Sequence, residues 1–404
     1  MSGDLLVTGI GRLVTNDGRP DDLLGVRSDV AIAIADGRVA WVGSMDDVPA
    51  EHRDLEVLDV GGGAVIPGFV DPHTHLVFAG DRADEFASRL RGERYEDVLA
   101  EGGGINATVR RTRAASFDDL LASATARADR MLANGTTTVE VKSGYGLDID
   151  TERRSLQVAK ALGERHAVDV VPTWLGAHLV PTDVDRGTFL HEVIPASLDA
   201  CADLATYADV FCDDGAFTVE ESRAVLRAAA DAGLRLRIHA DELGHSGGAA
   251  LAAELGCTSA DHLAHVDEHD ARALAAAGTV AVLLPATTFS LRTHHYGPGP
   301  MLWEAGVTVA LGTDCNPGTS YTESMSFVIA VACLEMGLTP DQAVWAATRG
   351  GALALELPDR GQVVVGAVGD LAVLDADGYQ HIPYRPGTNL VRTVVKRGVV
   401  VHRT

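Results

Sequence analysis

Short alternating runs of apolar and polar residues mark both ends of the chain. Before about Gly62 these runs fall at residues 5–7, 30–34, 39–42 and 55–60. Turn-forming pairs such as Asp36-Gly37 separate them, so the pattern predicts antiparallel strands. The same texture returns after Gly366, at residues 371–373, 390–395 and 399–401. We expect residues 1–66 and 366–404 to form one small composite β-sandwich domain.

The middle of the chain, residues 67–365, alternates short apolar runs with longer helical patterns. Counting the run that leads into it, eight runs read as strands, at residues 64–71, 136–142, 168–172, 206–212, 234–239, 259–264, 280–284 and 307–312. Helix starts lie between them or after them, at Ser116, at the capping box of Thr218 and Glu221, and at the box of Thr339 and Gln342. Strand and helix in alternation predict a parallel sheet, and eight strands predict an α/β fold, the (β/α)8 TIM barrel.

Ligand-type side chains stand at the ends of several predicted strands. His73 and His75, in Asp71-Pro-His-Thr-His75, follow the first strand, and residues two apart on a strand share a face. His239 ends another strand, and Asp314 follows the last one. Active sites of such barrels lie at the carboxyl ends of the strands. Three imidazoles and a carboxylate are ligands that suit Zn²⁺, Fe²⁺ or Mn²⁺.

Charge and cysteine content exclude several classes of protein. A formal net charge of −24 argues against binding to nucleic acid or to an anionic membrane surface. No apolar run is long enough for a membrane span, and the first residues lack the features of a signal peptide. Five scattered cysteines without a C-x-x-C pair fit a cytoplasmic protein better than a disulfide framework. An anionic substrate would need specific cations in the pocket.

These motifs resemble the amidohydrolase superfamily, and more closely the imidazolonepropionase family, the ring-opening hydrolases of histidine degradation. The segments that carry the closer resemblance span nearly the whole chain, at residues 73–82, 102–108, 139–147, 174–178, 239–242, 259–262 and 312–320. The resemblance implies hydrolysis of 4-imidazolone-5-propanoate to N-formimidoyl-L-glutamate. It also implies a single Zn²⁺ or Fe ion for each subunit.

The resemblance assigns roles residue by residue. It implies that the metal ligands are His73, His75, His239 and Asp314. It implies that the residues in contact with the small anionic heterocyclic substrate are Arg82, Tyr145, His178, Glu242, Asn316, Gly318 and Thr319. Arg82 is the expected partner of the propionate, because a planar guanidinium matches a carboxylate. Glu242 and His262, together with Asp314, are expected to handle the protons of the attacking water and of the leaving nitrogen.

Other interpretations remain open at this point. A different amidohydrolase, such as an aminohydrolase acting on a purine or pyrimidine-type ring, would use the same metal without needing Arg82. A non-enzymatic relative would be a scaffold, but such proteins usually lose ligands that this chain retains. Relatives with two metals carry a carboxylated lysine near Lys142; we expect one metal here and a structural ion pair at Lys142. A homodimer is the expected assembly, as is common for such enzymes.

Overall fold

The computed structural model describes residues 3–18, 22–92 and 103–404. Residue 102, the first of the motif at 102–108, lies outside them. The strands of the described residues are β1 Leu5–Ile10, β2 Arg12–Leu13, β3 Val30–Ala35, β4 Arg38–Ser44, β5 Glu56–Asp59, β6 Ala64–Pro67, β7 Phe69–Asp71, β8 Thr136–Lys142, β9 Asp169–Ala177, β10 Tyr207–Cys212, β11 Arg235–Ala240, β12 Ser259–His262, β13 Val280–Leu283, β14 Val309–Leu311, β15 Leu371–Leu374, β16 Val391–Lys396 and β17 Val399–Arg403.

The two ends of the chain form a pair of packed sheets. One sheet has the order β4-β3-β1-β5, and the other, β17-β16-β15-β6-β2, mixes strands from both ends. Leu5, Ile32 and Ile34 of the first sheet share an apolar core with Val65 and Val373 of the second. The predicted sandwich built from both termini is confirmed.

Strands β7 to β14 form an eight-stranded sheet in which each strand hydrogen-bonds to the next in chain order. Every pair in it is parallel. Just beyond β7 and β14 the sheet closes on itself, where Thr74 and Cys315 form a parallel bridge. The backbone N–H of Asp314 donates to the carbonyl of His73 at 3.0 Å, and that of His75 donates to the carbonyl of Cys315 at 3.0 Å. The (β/α)8 barrel predicted from the sequence is confirmed.

Helices surround the barrel, and the three predicted helix starts, at Ser116, Thr218 and Thr339, are present. The α-helices of the described residues are Ala83–Leu90, Ile105–Ala114, Phe117–Ala133, Ile149–Arg165, Arg186–Thr188, Ile194–Cys201, Val219–Asp231, Gly248–Leu255, Glu268–Ala277, Pro285–Leu291, Gly299–Glu304, Met325–Leu334, Pro340–Trp345, Gly351–Ala354 and His381–Tyr384. Shorter turns of 3-10 or π-helix are Met45–Asp47, Ala50–His52, Phe189–Val193 and Ala346–Gly350. The capping boxes at Thr218 and Thr339 are present, and Ser116 caps its helix with Asp119. Among the described residues, no helix has both the length and the apolarity needed to cross a membrane.

The apolar run at residues 64–71 is not one strand, and that prediction is wrong. It divides at Gly68 into β6, which pairs with β15 of the terminal sheet, and β7, which pairs with β8 of the barrel. The N–H of Gly68 donates to the carbonyl of Asp370 at 3.0 Å, and a Cβ on Gly68 would overlap the side chain of Thr137. Both halves are fully buried, so hydrophobicity alone could not show that they belong to different sheets.

Polar contacts fasten the sandwich to the barrel. The ammonium of Lys396 on β16 bonds to Asp169 at the start of β9 (2.8 Å) and to Asp370 (2.5 Å). The side-chain amide of Asn16 donates to the hydroxyl of Thr348 at 2.9 Å and to the carbonyl of Gly361 at 2.7 Å. The sandwich is therefore held against the barrel at two separate places.

Substituting Gly351→Ala should destabilise the fold at the strand that leads into His73 and His75. A Cβ at Gly351 would overlap the backbone carbonyl of Val70 on β7, and both residues are buried. We expect the free energy of unfolding to fall by about 1–3 kcal/mol, as for overpacked cores. Urea denaturation in the presence of a chelator measures it.

Gly187→Ala is the matched control. Gly187 is exposed in the helix Arg186–Thr188, and an added Cβ would approach only the Asp185 side chain, at 3.3 Å. We expect this variant to keep or slightly exceed the wild-type free energy of unfolding, because alanine favours a helix over glycine. Equal stability of the two variants would contradict the close packing at Gly351.

Candidate metal-dependent active site

Three imidazoles and one carboxylate converge at the carboxyl end of the barrel. His73 and His75 follow β7, His239 lies near the end of β11, and Asp314 follows β14. The Nε2 atoms of His239 and His75 lie 3.3 Å apart. Oδ1 of Asp314 lies 3.4 Å from Nε2 of His73 and 3.4 Å from Nε2 of His75. All four side chains are buried. The structure therefore brings the four predicted ligands together.

The donor atoms fit a metal ion. Nε2 of His73 is buried and makes no hydrogen bond within the described residues. A buried nitrogen left in this way costs free energy unless another group uses its lone pair. Burial and the nearby Lys142 ammonium also hold the pKa of His73 well below its usual value, which keeps the imidazole neutral, the form that binds metals. Two groups of these donors, His73 with His75 and His239, and His73 with His262 and Asp314, are close enough together to hold a metal ion.

Two aspartates orient two of the imidazoles. Nδ1 of His73 lies 2.6 Å from Oδ2 of Asp261, and Nδ1 of His239 lies 3.0 Å from Oδ1 of Asp209. Each carboxylate accepts a hydrogen bond from the Nδ1–H group of its imidazole. The lone pair of Nε2 then faces the cluster. No local pattern in the sequence points to a role for either aspartate.

Asp314 is oriented by the hydroxyl of Thr287, which no motif in the sequence indicates. Oγ1 of Thr287, in the helix Pro285–Leu291, donates to Oδ2 of Asp314 at 2.6 Å. That bond leaves Oδ1 turned toward the imidazoles. Burial raises the pKa of Asp314 to about 6, against the lowering effect of the Thr287 hydrogen bond. Nothing in the spacing of the sequence pairs these two residues.

Buried charges fill the barrel beneath the cluster. The ammonium of Lys142 donates to Asp209 at 2.6 Å and to Glu140 at 2.9 Å, and Arg237 bonds to Asp261 at 3.1 Å. All five side chains are fully buried. Burial lowers the pKa of Lys142, but the two carboxylates outweigh it and the pKa is raised. The ion pair predicted at Lys142 is confirmed, and its partners are two charged residues that lie within otherwise apolar strands.

Glu242 and His262 face each other beside the cluster. Oε2 of Glu242 lies 3.6 Å from Nε2 of His262, and the backbone N–H of Glu242 donates to Asp213 at 2.7 Å. Burial and the charge of Asp314 raise the pKa of Glu242 to about 8. Burial also lowers the pKa of His262 well below its usual value. The two side chains line the same cavity of about 30 Å³, which has room for water.

Tyr145 and His178 form one wall of the site. The ring of His178 stacks on that of His75 with centroids 5.1 Å apart, and the ring of Tyr145 lies 5.4 Å from that of His178. Nδ1 of His178 donates to the carbonyl of Gly144 at 2.9 Å. Burial lowers the pKa of His178 to about 4, so the ring is neutral and its Nε2 is an acceptor.

The loop after Asp314 carries the remaining predicted residues. The side chain of Asn316 accepts the backbone N–H groups of Gly318 and Thr319, both at 2.8 Å. A Cβ on Gly318 would overlap the guanidinium of Arg82, so this glycine admits the Arg82 side chain. Nε of Arg82 donates to Glu85 at 2.8 Å. Arg82, Gly318 and Thr319 line a cavity of about 690 Å³. Arg82 therefore lies in a pocket beside the Asp314 loop.

Removing one hydroxyl should weaken metal binding. Thr287→Val keeps the shape of the side chain but leaves Oδ2 of Asp314 without its donor. We expect an affinity for Zn²⁺ lower by roughly 10-fold, the usual scale for groups that orient a ligand. Competition with a chromophoric chelator measures it.

Thr279→Val is the control for this change, because the buried Thr279 hydroxyl donates to the carbonyl of Cys257, away from the cluster. We expect its Zn²⁺ affinity to match that of the wild type. An unchanged affinity in Thr287→Val would show that this hydroxyl does not orient Asp314.

Known proteins of similar structure share the fold. The chain superposes on ochratoxinase of A. niger with a TM-score of 0.74 at 20% identity, covering 100% of this chain and 97% of that one. It superposes on an adenosine deaminase from Xanthomonas campestris with bound Zn with a TM-score of 0.72 at 20% identity, covering 99% and 93%. At this identity the likeness extends to the fold alone.

Other known proteins are much more similar to this chain in sequence. A family model described as the amidohydrolase family matches residues 85–402. An imidazolonepropionase from Mycolicibacterium smegmatis is 49% identical over 403 residues, covering 99% of this chain and 98% of that protein. An imidazolonepropionase from Salinispora arenicola is 50% identical over 400 residues, covering 98% of each. The chain therefore belongs to the amidohydrolase family and, within it, to the imidazolonepropionases.

Proposed function

We propose that this chain hydrolyses 4-imidazolone-5-propanoate to N-formimidoyl-L-glutamate, with one Zn²⁺ or Fe ion in each subunit. The observation that carries the proposal is the convergence of three imidazoles and Asp314 beside Glu242 and His262. Relatives named imidazolonepropionase that are similar over nearly the full length support the choice of substrate.

The metal would be held by His73, His75, His239 and Asp314. Neutral imidazoles and a carboxylate suit Zn²⁺ and also Fe²⁺. When bound, such an ion lowers the pKa of a water molecule and polarises a carbonyl group.

Glu242 and His262 would move the protons of the reaction. Water adds to the ring carbonyl carbon, the bond from that carbon to the ring nitrogen breaks, and the nitrogen takes a proton. The buried Glu242 carboxylate would accept the proton of the water and deliver it to the leaving nitrogen. His262, 3.6 Å away, would donate a hydrogen bond to the carbonyl oxygen as charge develops there. Asp314 is a second possible acceptor of the water proton, because a carboxylate can contact both metal and water.

The remaining residues would bind and orient the substrate. Arg82 would pair with the propionate through its planar guanidinium. This gives an anionic substrate a specific cation in a chain whose net charge is −24. Tyr145 and His178 would flank the ring. The Asn316 loop, with Gly318 and Thr319, would close the pocket beside Asp314.

The alternative, deamination of a purine or pyrimidine-type ring, has weaker support. The adenosine deaminase that superposes on this chain shares 20% identity with it, whereas the imidazolonepropionases share about half of their residues. A deaminase would also leave Arg82 and its cavity without a role.

Ring opening of freshly made 4-imidazolone-5-propanoate tests the proposal, followed by the loss of its ultraviolet absorbance. We expect turnover that is lost after treatment with a chelator and restored by Zn²⁺ or Fe²⁺. Protein with a full metal complement that leaves this substrate intact, but releases ammonia from an aminated ring, would favour the alternative.

Arg82→Ala should raise the KM more than it lowers kcat. The guanidinium would contact a part of the substrate that does not react, so its loss removes binding that the ground state and the transition state share. A charge-assisted hydrogen bond contributes about 1.5–3 kcal/mol, which corresponds to a KM higher by roughly 10- to 150-fold. Steady-state kinetics with 4-imidazolone-5-propanoate measures both parameters.

Two comparisons make this prediction specific. Gly318→Ala should raise the KM in the same direction, because its Cβ would displace the guanidinium without removing the charge. The wild type should discriminate against the neutral propanamide analogue, and Arg82→Ala should not. If Arg82→Ala keeps the wild-type preference for the acid over the amide, Arg82 does not bind the propionate.

A further inference from the structure

Lys142 is connected to both of the chain segments that carry the imidazoles, in each case through a buried carboxylate. Its ammonium donates to Oδ2 of Asp209 at 2.6 Å, and Oδ1 of the same carboxylate holds Nδ1 of His239 at 3.0 Å. The backbone N–H of His239 also lies 3.2 Å from that Oδ1. One carboxylate therefore separates the ammonium from His239.

The second connection runs through Glu140 to the segment His73-Thr74-His75. The ammonium donates to Oε1 of Glu140 at 2.9 Å, and Oε2 of Glu140 accepts the backbone N–H of Thr74 at 3.1 Å. The hydroxyl of Thr74 donates to the carbonyl of Glu140 at 2.6 Å, and the N–H of Lys142 donates to the carbonyl of Thr74 at 3.0 Å. Thr74 lies between two imidazoles that face the cluster, so its position sets theirs.

The buried charges explain why Lys142 holds Asp209 and Glu140 in place. Asp209 and Glu140 are fully buried, and so is Lys142 between them. Without the ammonium, Asp209, Glu140 and the more distant Asp261, 3.7 Å from the ammonium, would lose a buried counter-charge, and mutual repulsion would push them apart. That movement would change the acceptor of His239 or the anchor of Thr74.

We propose that Lys142 is a positioning residue that sets the metal affinity of the site by holding His239 and the His73–His75 segment in one arrangement. The proposal rests on the metal centre of the proposed function, but not on its substrate. In this proposal Lys142 acts on the metal ligands through Asp209 and Glu140 and does not itself contact the metal.

The test compares Lys142→Met with a matched variant, Lys396→Met. Lys396 is also a buried lysine between two carboxylates, Asp169 at 2.8 Å and Asp370 at 2.5 Å, but it lies where the sandwich meets the barrel. Two quantities are measured in each purified full-length variant: the Zn²⁺ dissociation constant, by chelator competition, and the visible absorption spectrum of the Co²⁺ form.

We expect Lys142→Met to bind Zn²⁺ about 10- to 100-fold more weakly than the wild type, and to shift the Co²⁺ spectrum, because the ligands no longer hold their arrangement. Lys396→Met should lose stability but keep the wild-type dissociation constant and spectrum. A folded Lys142→Met variant with both quantities unchanged would overturn the proposal, as would an equal change in the two variants.

If Lys142→Met does not fold, Glu140→Gln tests the proposal by the same two measurements. This substitution keeps the shape of the side chain and touches none of the imidazoles, yet it removes one of the two negative charges that hydrogen-bond to the ammonium. We expect the Zn²⁺ dissociation constant to rise at least 3-fold with a change in the Co²⁺ spectrum; no change in either would overturn the proposal. A wild type that takes up neither metal would instead refute the metal centre itself.

Discussion

The closure of the barrel and the cluster of candidate metal ligands depend on the same few backbone hydrogen bonds. The first and last barrel strands meet only beyond their ends, where His73 and His75 exchange hydrogen bonds with Asp314 and Cys315. Three of the four candidate ligands are therefore part of the seam that joins the two ends of the sheet. The side chains face one another because the backbone must meet there for the barrel to close.

Beneath this seam the barrel holds charges where many barrels hold aliphatic layers. Glu140, Lys142, Asp209, Arg237 and Asp261 come from four strands, and the two cations offset two of the three carboxylate charges. Buried charges of this kind add little net stability, since desolvation offsets their attraction. They fix orientation instead. The ion pairs hold Asp209 and Asp261 in place, and these two carboxylates in turn hold the imidazoles of His239 and His73. The aliphatic core that stabilises the fold lies instead between the strands and the surrounding helices.

Much of the fold and of the candidate site could be predicted from the sequence. The features that could not be predicted have physical reasons. The barrel, the sandwich and the cluster followed from local patterns, because the two-residue repeat of a strand and the position of a strand end are local properties. Asp209 and Asp261 were missed because a single aspartate in an apolar strand acquires a role only from the strand beside it. Thr287 reaches Asp314 from a helix, and no repeat in the sequence records that distance. The division at Gly68 was hidden because both sides of it are buried.

Gly68 also affects how the sandwich is connected to the barrel. A single residue separates β6 of the sandwich from β7 of the barrel, and Asn16 and Lys396 fasten the same two bodies elsewhere. A direct connection of this kind, with polar contacts elsewhere between the same two bodies, restricts movement of the sandwich relative to the barrel. Changes of shape at the mouth of the barrel would then fall to its loops, which are the parts of such folds that move and vary most.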